Sequence, residues 1–120
     1  MRFMVIVKAS PNSEAGVLPS PQLIAEMQSF NEELAKAGLL LTGEGLQASS
    51  KGARIRIRGN KRTVIDGPFT ETKELVAGFW ILQAKSRQEV IDWMLRCPHP
   101  HIDEDAELEI RQLFEAQDFE

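Results

Sequence analysis

The side chains best suited to chemistry cluster in one stretch, Asp66-Gly67-Pro68-Phe69-Thr70-Glu71-Thr72-Lys73-Glu74. Asp66, Glu71 and Glu74 supply carboxylates and Lys73 an ammonium. A carboxylate tuned by a neighbouring cation is the kind of group that moves protons. The same residues also make a bend: Asp bonds its own main chain, Gly accepts dihedrals that others avoid, and Pro keeps its predecessor out of the helical region. A turn that needs Asp for its hydrogen bond is therefore an alternative account of Asp66. Glu44 is the second candidate, because it stands between Gly43 and Gly45 where an apolar strand is expected. A carboxylate directed inward there needs a partner, and Arg54 or Lys73 would serve; simple surface exposure is the other reading. Trp80 lies in the most apolar run, Leu75 to Leu82, as core or as a pocket wall. Asp66 and Glu44 are thus the candidate catalytic groups, with Arg54, Lys73, Glu71 and Trp80 as candidate ligand-binding groups.

Other groups carry weaker signals. Cys97, His99, His101 and Asp103 are the residue types that hold transition metals, yet their spacing matches no strong site and two prolines interrupt them, which favours a capping loop. No metal or cofactor is expected, and no role is assigned to His99 or His101. Lys51, Arg54, Arg56, Arg58, Lys61 and Arg62 fall together with no acidic residue among them. They read as a solvated outer face or as a patch for an acidic partner. Few aromatic residues are interleaved to stack bases. Phosphate loops, nucleophile elbows, metalloprotease helices and redox cysteine pairs are missing from the sequence.

The elements that must position these groups follow from periodicity. Phe3, Val5 and Val7 alternate with Met4 and Ile6, giving a first strand that is apolar on both faces and must be covered on both. Residues 10–19 read as a loop, and Ser20-Pro21 as a capped helix start. Leu23, Ile24, Met27, Phe30 and Leu34 then follow at helical spacing to Gly38, a helix over about 21–37. A strand from Leu39 leads to a hairpin in which Ala53 to Arg58 and Lys61 to Ile65 flank Gly59-Asn60. Leu75 to Ala84, apolar in both phases, is the expected centre of the sheet. Ser86 and Glu89 form a capping box for a second helix that must stop before Pro98. The last segment fits both periods, and strand through about Phe114 is preferred. The result is α+β, a ferredoxin-like β-α-β-(β-hairpin)-β-α-β antiparallel sheet. Two helices cover one face only, so a homodimer packed sheet to sheet is the economical second cover.

Length bounds this to a single domain, 1–120. A net charge of −4 argues against a nucleic-acid binder. One cysteine permits no intrachain disulfide and suggests a reducing compartment. No apolar run approaches the roughly 20 residues that span a bilayer, so a cytoplasmic protein without membrane contact is expected.

Asp66-Gly67-Pro68-Phe69, the following Thr70-Glu71-Thr72-Lys73-Glu74 and Gly78-Phe79-Trp80 together resemble the signature of the DGPF proteins, a branch of the YCII-related family. Leu41-Thr42-Gly43-Glu44-Gly45-Leu46, Lys51-Gly52-Ala53-Arg54 and Glu107-Leu108-Glu109-Ile110-Arg111 extend the resemblance over nearly the whole chain. It implies a ferredoxin-like fold paired as a dimeric α+β barrel. Some members are thought to be enzymes because of a His-Asp pair in a pocket, but this chain has no His near its first strand or first helix. Two functions are left: a metal-free small-molecule enzyme or binder with a carboxylate-containing pocket, or a non-catalytic homodimeric module for a protein partner. The family's gene neighbourhoods imply that such a partner would be linked to sigma-factor-dependent transcription.

Overall fold

In the computed structural model, which describes residues 1–101 and 103–120, the alternation of β1 (Arg2–Lys8) sets the frame. Phe3, Val5 and Val7 are buried, while Met4 and Ile6 on the opposite face are half-buried. β5 (Val76–Gln83) repeats the pattern: Gly78, Trp80 and Leu82 are buried, and Phe79 and Ile81 are half-buried. The two strands pair antiparallel, with Phe3 opposite Leu82 and Val5 opposite Trp80. β2 (Leu40–Gly45) flanks β5, and β6 (Leu108–Gln112) flanks β1. The sheet order is β2-β5-β1-β6 with every neighbour antiparallel. This is the ferredoxin-like arrangement expected from the sequence, and β6 resolves the ambiguous last segment as strand, ending at Gln112.

Two helices close one face. In α2 (Pro21–Lys36) the Ser20 hydroxyl accepts from the Leu23 N–H at 3.1 Å, and Gly38 at φ 80° takes the left-handed turn that ends it. Leu23, Phe30 and Leu34 are buried, but Ile24 is 45% exposed, so the buried stripe is narrower than the periodicity suggests. In α3 (Arg87–Met94) the Ser86 hydroxyl accepts from the Glu89 N–H at 3.1 Å. The Glu89 carboxylate accepts from the Lys85 N–H at 2.9 Å, so the box closes one residue further out than the usual pattern. Phe3, Val5, Phe30, Leu34, Trp80, Leu82, Val90 and Met94 share one core. Each fully buried side chain among them contributes about 1.5–3 kcal/mol.

One feature departs from the expected outline, and a second completes it. Residues 10–19 contain a short helix, α1 (Pro11–Glu14), where a loop is expected. Ser10-Pro11 uses the same start signal as Ser20-Pro21: the Ser13 N–H donates to the Ser10 hydroxyl at 3.1 Å, and the Ser10 N–H donates to the Ser13 hydroxyl at 2.9 Å. The second is the hairpin, inserted as expected but with its placement left open by the sequence. β3 (Ala53–Arg58) and β4 (Lys61–Asp66) turn at Gly59, φ 58°, and form their own two-stranded sheet instead of extending the main one.

Candidate functional site

Between the helix-covered face of the sheet, the segment 10–20 and the N-terminal half of α2 lies a cavity of about 860 Å³. Its walls also include residues 43–48, Pro100, His101 and Glu104. Trp80 forms part of the wall and is held by its indole N–H, which donates to Asn31 Oδ1 at 2.7 Å. Gly43, opposite Trp80, makes room for the ring: a Cβ there would lie 2.7 Å from Trp80 Cδ1. Leu23 and Met27 of α2 and the exposed Val17 and Leu18 make the rest of the lining largely apolar.

The polar groups sit at one side. His101 is 91% buried, and its Nε2 lies 2.8 Å from the Lys8 carbonyl oxygen. A carbonyl only accepts, so Nε2 carries the proton, and in the neutral ring Nδ1 is left as a lone-pair acceptor. Among the described residues nothing donates to His101 Nδ1, and no sealed side-chain nitrogen or oxygen lacks a partner. Glu104 accepts from the Asn12 N–H at 3.0 Å. The Ser10 hydroxyl, then the Asn12 N–H and the nearby His101, hold its carboxyl below the ordinary glutamate range.

On the far wall Glu14, from α1, accepts from the Ser49 N–H at 3.0 Å and from the Ser49 hydroxyl. The Ser49 oxygen in turn accepts from the Phe69 N–H at 3.0 Å. One carboxylate thereby ties the cavity wall to the Asp66–Phe69 bend. Gly67 packs so closely on this turn that a Cβ would lie 1.8 Å from the Ser49 carbonyl oxygen.

Of the candidate catalytic and ligand-binding residues, Trp80 and Glu44 line this cavity. Glu44 is exposed and pairs with Phe79, one step out of phase with the Gly43–Trp80 pair, which directs it to the other side of the sheet. Asp66 ends β4 opposite Ala53 and is exposed, as are Glu71 and Lys73 on the following turn. Arg54 is exposed too, its guanidinium 3.8 Å over the Phe69 ring. Among the described residues neither Arg54 nor Lys73 pairs with Glu44, and Asp66, Arg54, Glu71 and Lys73 do not line the cavity. The hairpin stands apart from the main sheet, so proximity in sequence does not carry these groups to Trp80.

Sequence reasoning passed over Asn31, Glu14, Ser49 and Glu104, and assigned His101 no role. The Ser10-Pro11 helix start was the readable signal for Glu14; nothing local foretells that Lys8 captures His101. Burial pushes the Cys97 thiol up to about 11, so it stays protonated near neutrality. Among the described residues no group of three or more His, Cys, Asp or Glu is placed to hold a metal ion.

Comparisons with known proteins agree with this architecture. A solved structure of 5-chloro-2-hydroxyhydroquinone dehydrochlorinase from Burkholderia phenoliruptrix AC1100, in complex with 2,5-dihydroxybenzoquinone, matches with a TM-score of 0.51 at 18% identity, covering 98% of both chains. At that identity the likeness concerns the fold. An uncharacterised protein of Rhizobium meliloti (strain 1021) is 28% identical over 72 residues, 60% of this chain and 58% of that relative's length. No helix among the described residues is long and apolar enough to cross a membrane. The YCII-related domain model matches residues 1–114, and the chain belongs to the YCII-related family.

Proposed function

We propose that this YCII-related protein is a small-molecule enzyme or binder whose site is the cavity beside Trp80, with His101 Nδ1 as the group that meets the ligand's acidic proton. The observation that carries this reading is a buried imidazole with one nitrogen fixed on the Lys8 carbonyl and the other without a donor among the described residues, in the wall of a ligand-sized cavity. Nδ1 accepts a proton from an acidic O–H or activated C–H, giving an imidazolium whose Nε2–H stays on Lys8 and whose charge the Glu104 carboxylate offsets. Trp80 offers a flat apolar surface and Asn31 keeps it in place, which suits a planar ring. The fold neighbour was solved with a dihydroxybenzoquinone, so acidic hydroxyquinones and phenols are the first class to try. Glu104 and Glu14, on the two walls of the cavity, are the carboxylates nearest such a ligand, while Glu44 is directed to the other side of the sheet.

A homodimer accompanies this reading, supported by the half-buried Met4, Ile6, Phe79 and Ile81 on the helix-free sheet face. A lone, protonated cysteine is compatible with a cytoplasmic setting.

The test is a panel of hydroxyquinones, phenols and aromatic carboxylates, followed by melting temperature and by the NMR signal of the His101 ring. A ligand should raise the melting temperature and move that signal, and Trp80→Phe and His101→Gln should each weaken its binding about tenfold. Panel compounds that bind without moving the His101 signal, or that leave the protein's melting unchanged throughout, would count against the assignment.

A further inference from the structure

The β3–β4 hairpin has an apolar face with no partner among the described residues. Cross-strand pairing puts Ile55 beside Val64 and Ile57 beside Arg62 on one side, and Arg54, Arg56, Arg58 and Lys61 on the other. Ile55, Ile57 and Val64 are 56%, 57% and 65% exposed. An isolated two-stranded ribbon is marginal in water, and one with a bare β-branched face also invites association. This ribbon nevertheless has a fixed root. Ser49 holds Phe69, Arg54 covers the Phe69 ring, and the Gly67 N–H donates to the Gly52 carbonyl at 3.0 Å. The chain is accordingly flat and extended, 45 × 45 × 19 Å with a radius of gyration of 16.2 Å. A compact domain of this length would have about 14 Å.

Charge identifies the occupant. Six of the fourteen Lys and Arg residues and one of the eighteen Asp and Glu residues fall within 51–66. The hairpin segment thus carries a net +5, and the remainder of the chain −9. A basic apolar arm on an acidic body complements another copy of itself, whereas the body repels a polyanion such as nucleic acid.

We infer that the β3–β4 hairpin is a docking arm that seats its Ile55–Ile57–Val64 face on the acidic body of a second copy of this chain. The apolar face supplies the buried anchor. Lys51 and Arg62, with the arginines of the opposite face, supply the field that steers the two copies together. The inference does not depend on the cavity reading. It goes beyond a sheet-to-sheet dimer, because it assigns part of the interface to an element outside the sheet.

Sedimentation velocity at micromolar concentrations tests it, with Ile57→Asp, the charge reversal R54E/R56E/R58E, and Ile81→Lys on the open sheet face. These side chains are exposed or half-exposed, and circular dichroism with thermal melting verifies that each variant folds. The wild type should be a dimer whose dissociation constant rises several-fold between low salt and about 0.5 M salt. Ile57→Asp and the charge reversal should each raise it about tenfold or more, and the reversal should flatten the salt dependence. A monomeric wild type overturns the inference. Hairpin variants that associate as tightly as the wild type also overturn it, and if Ile81→Lys alone is then monomeric, the sheet-to-sheet dimer stands without the arm. Tight binding of mixed-sequence single-stranded DNA, lost in the charge reversal while dimerisation is unchanged, would assign the arm to nucleic acid instead.

Discussion

Gly67 illustrates how much a missing methyl group can matter. The hydrogen that replaces its side chain faces the Ser49 carbonyl, at a place where a Cβ would be 1.8 Å away. Gly67→Ala must push the Asp66–Phe69 bend off the turn that Ser49 and Glu14 hold, breaking the Phe69-to-Ser49 bond as well. We expect a loss of about 2–4 kcal/mol, seen as a melting temperature lower by roughly ten degrees. Gly45→Ala, where a Cβ meets nothing within 4 Å, should stay within about 0.5 kcal/mol of wild type in the same measurement. A pair of equal shifts would mean that the close packing at Gly67 is not what constrains the bend. The bend itself was legible, because Asp-Gly-Pro punctuates a backbone by its own chemistry. Its partner was not, since Ser49 lies twenty residues away and reaches Phe69 only after the hairpin has folded back.

Helix ends give the clearest sequence signals at the scale of elements. Ser20 and Ser86 cap α2 and α3 as expected, because a hydroxyl before the first turn satisfies an amide that has no partner within the helix. Ser86→Ala should cost about 1 kcal/mol in urea unfolding, with an unchanged slope, because α3 supplies the buried Val90 and Met94. A changed slope would show that the whole helix had been lost. The same grammar stands at Ser10-Pro11, but a four-residue helix has no apolar stripe to announce it. That short element carries Glu14, and so one wall of the cavity.

For the whole molecule, acidity is the simplest probe. The Arg111 guanidinium holds the Glu109 carboxyl low, Arg2 does the same for Glu115, and the Ser10 hydroxyl does so for Glu104. Each folded value lies below the unfolded one, so the stabilisation is complete above the ordinary glutamate value of 4.5 and is lost as pH falls through the depressed values. Melting temperature should be flat in these terms from pH 7 to about 5 and should fall below about 4.5. Arg2→Gln should remove part of the fall, because Glu115 then titrates normally. The pairs are partly exposed, and added salt should shrink the effect. A fall of the same depth in Arg2→Gln would place the acid sensitivity elsewhere.

The sequence alone determined the strands, the two capped helices and the order in which they follow one another. These rest on alternation, 3.6-residue spacing and turn chemistry, which act between near neighbours. Tertiary structure decided which side chains meet: His101 on Lys8, Glu14 on Ser49 and Asn31 under Trp80 join positions 93, 35 and 49 residues apart. It also decided that the hairpin leaves the sheet and takes Asp66, Arg54 and their neighbours away from Trp80. Contacts of that range depend on how elements pack and how loops close, and no local periodicity encodes them.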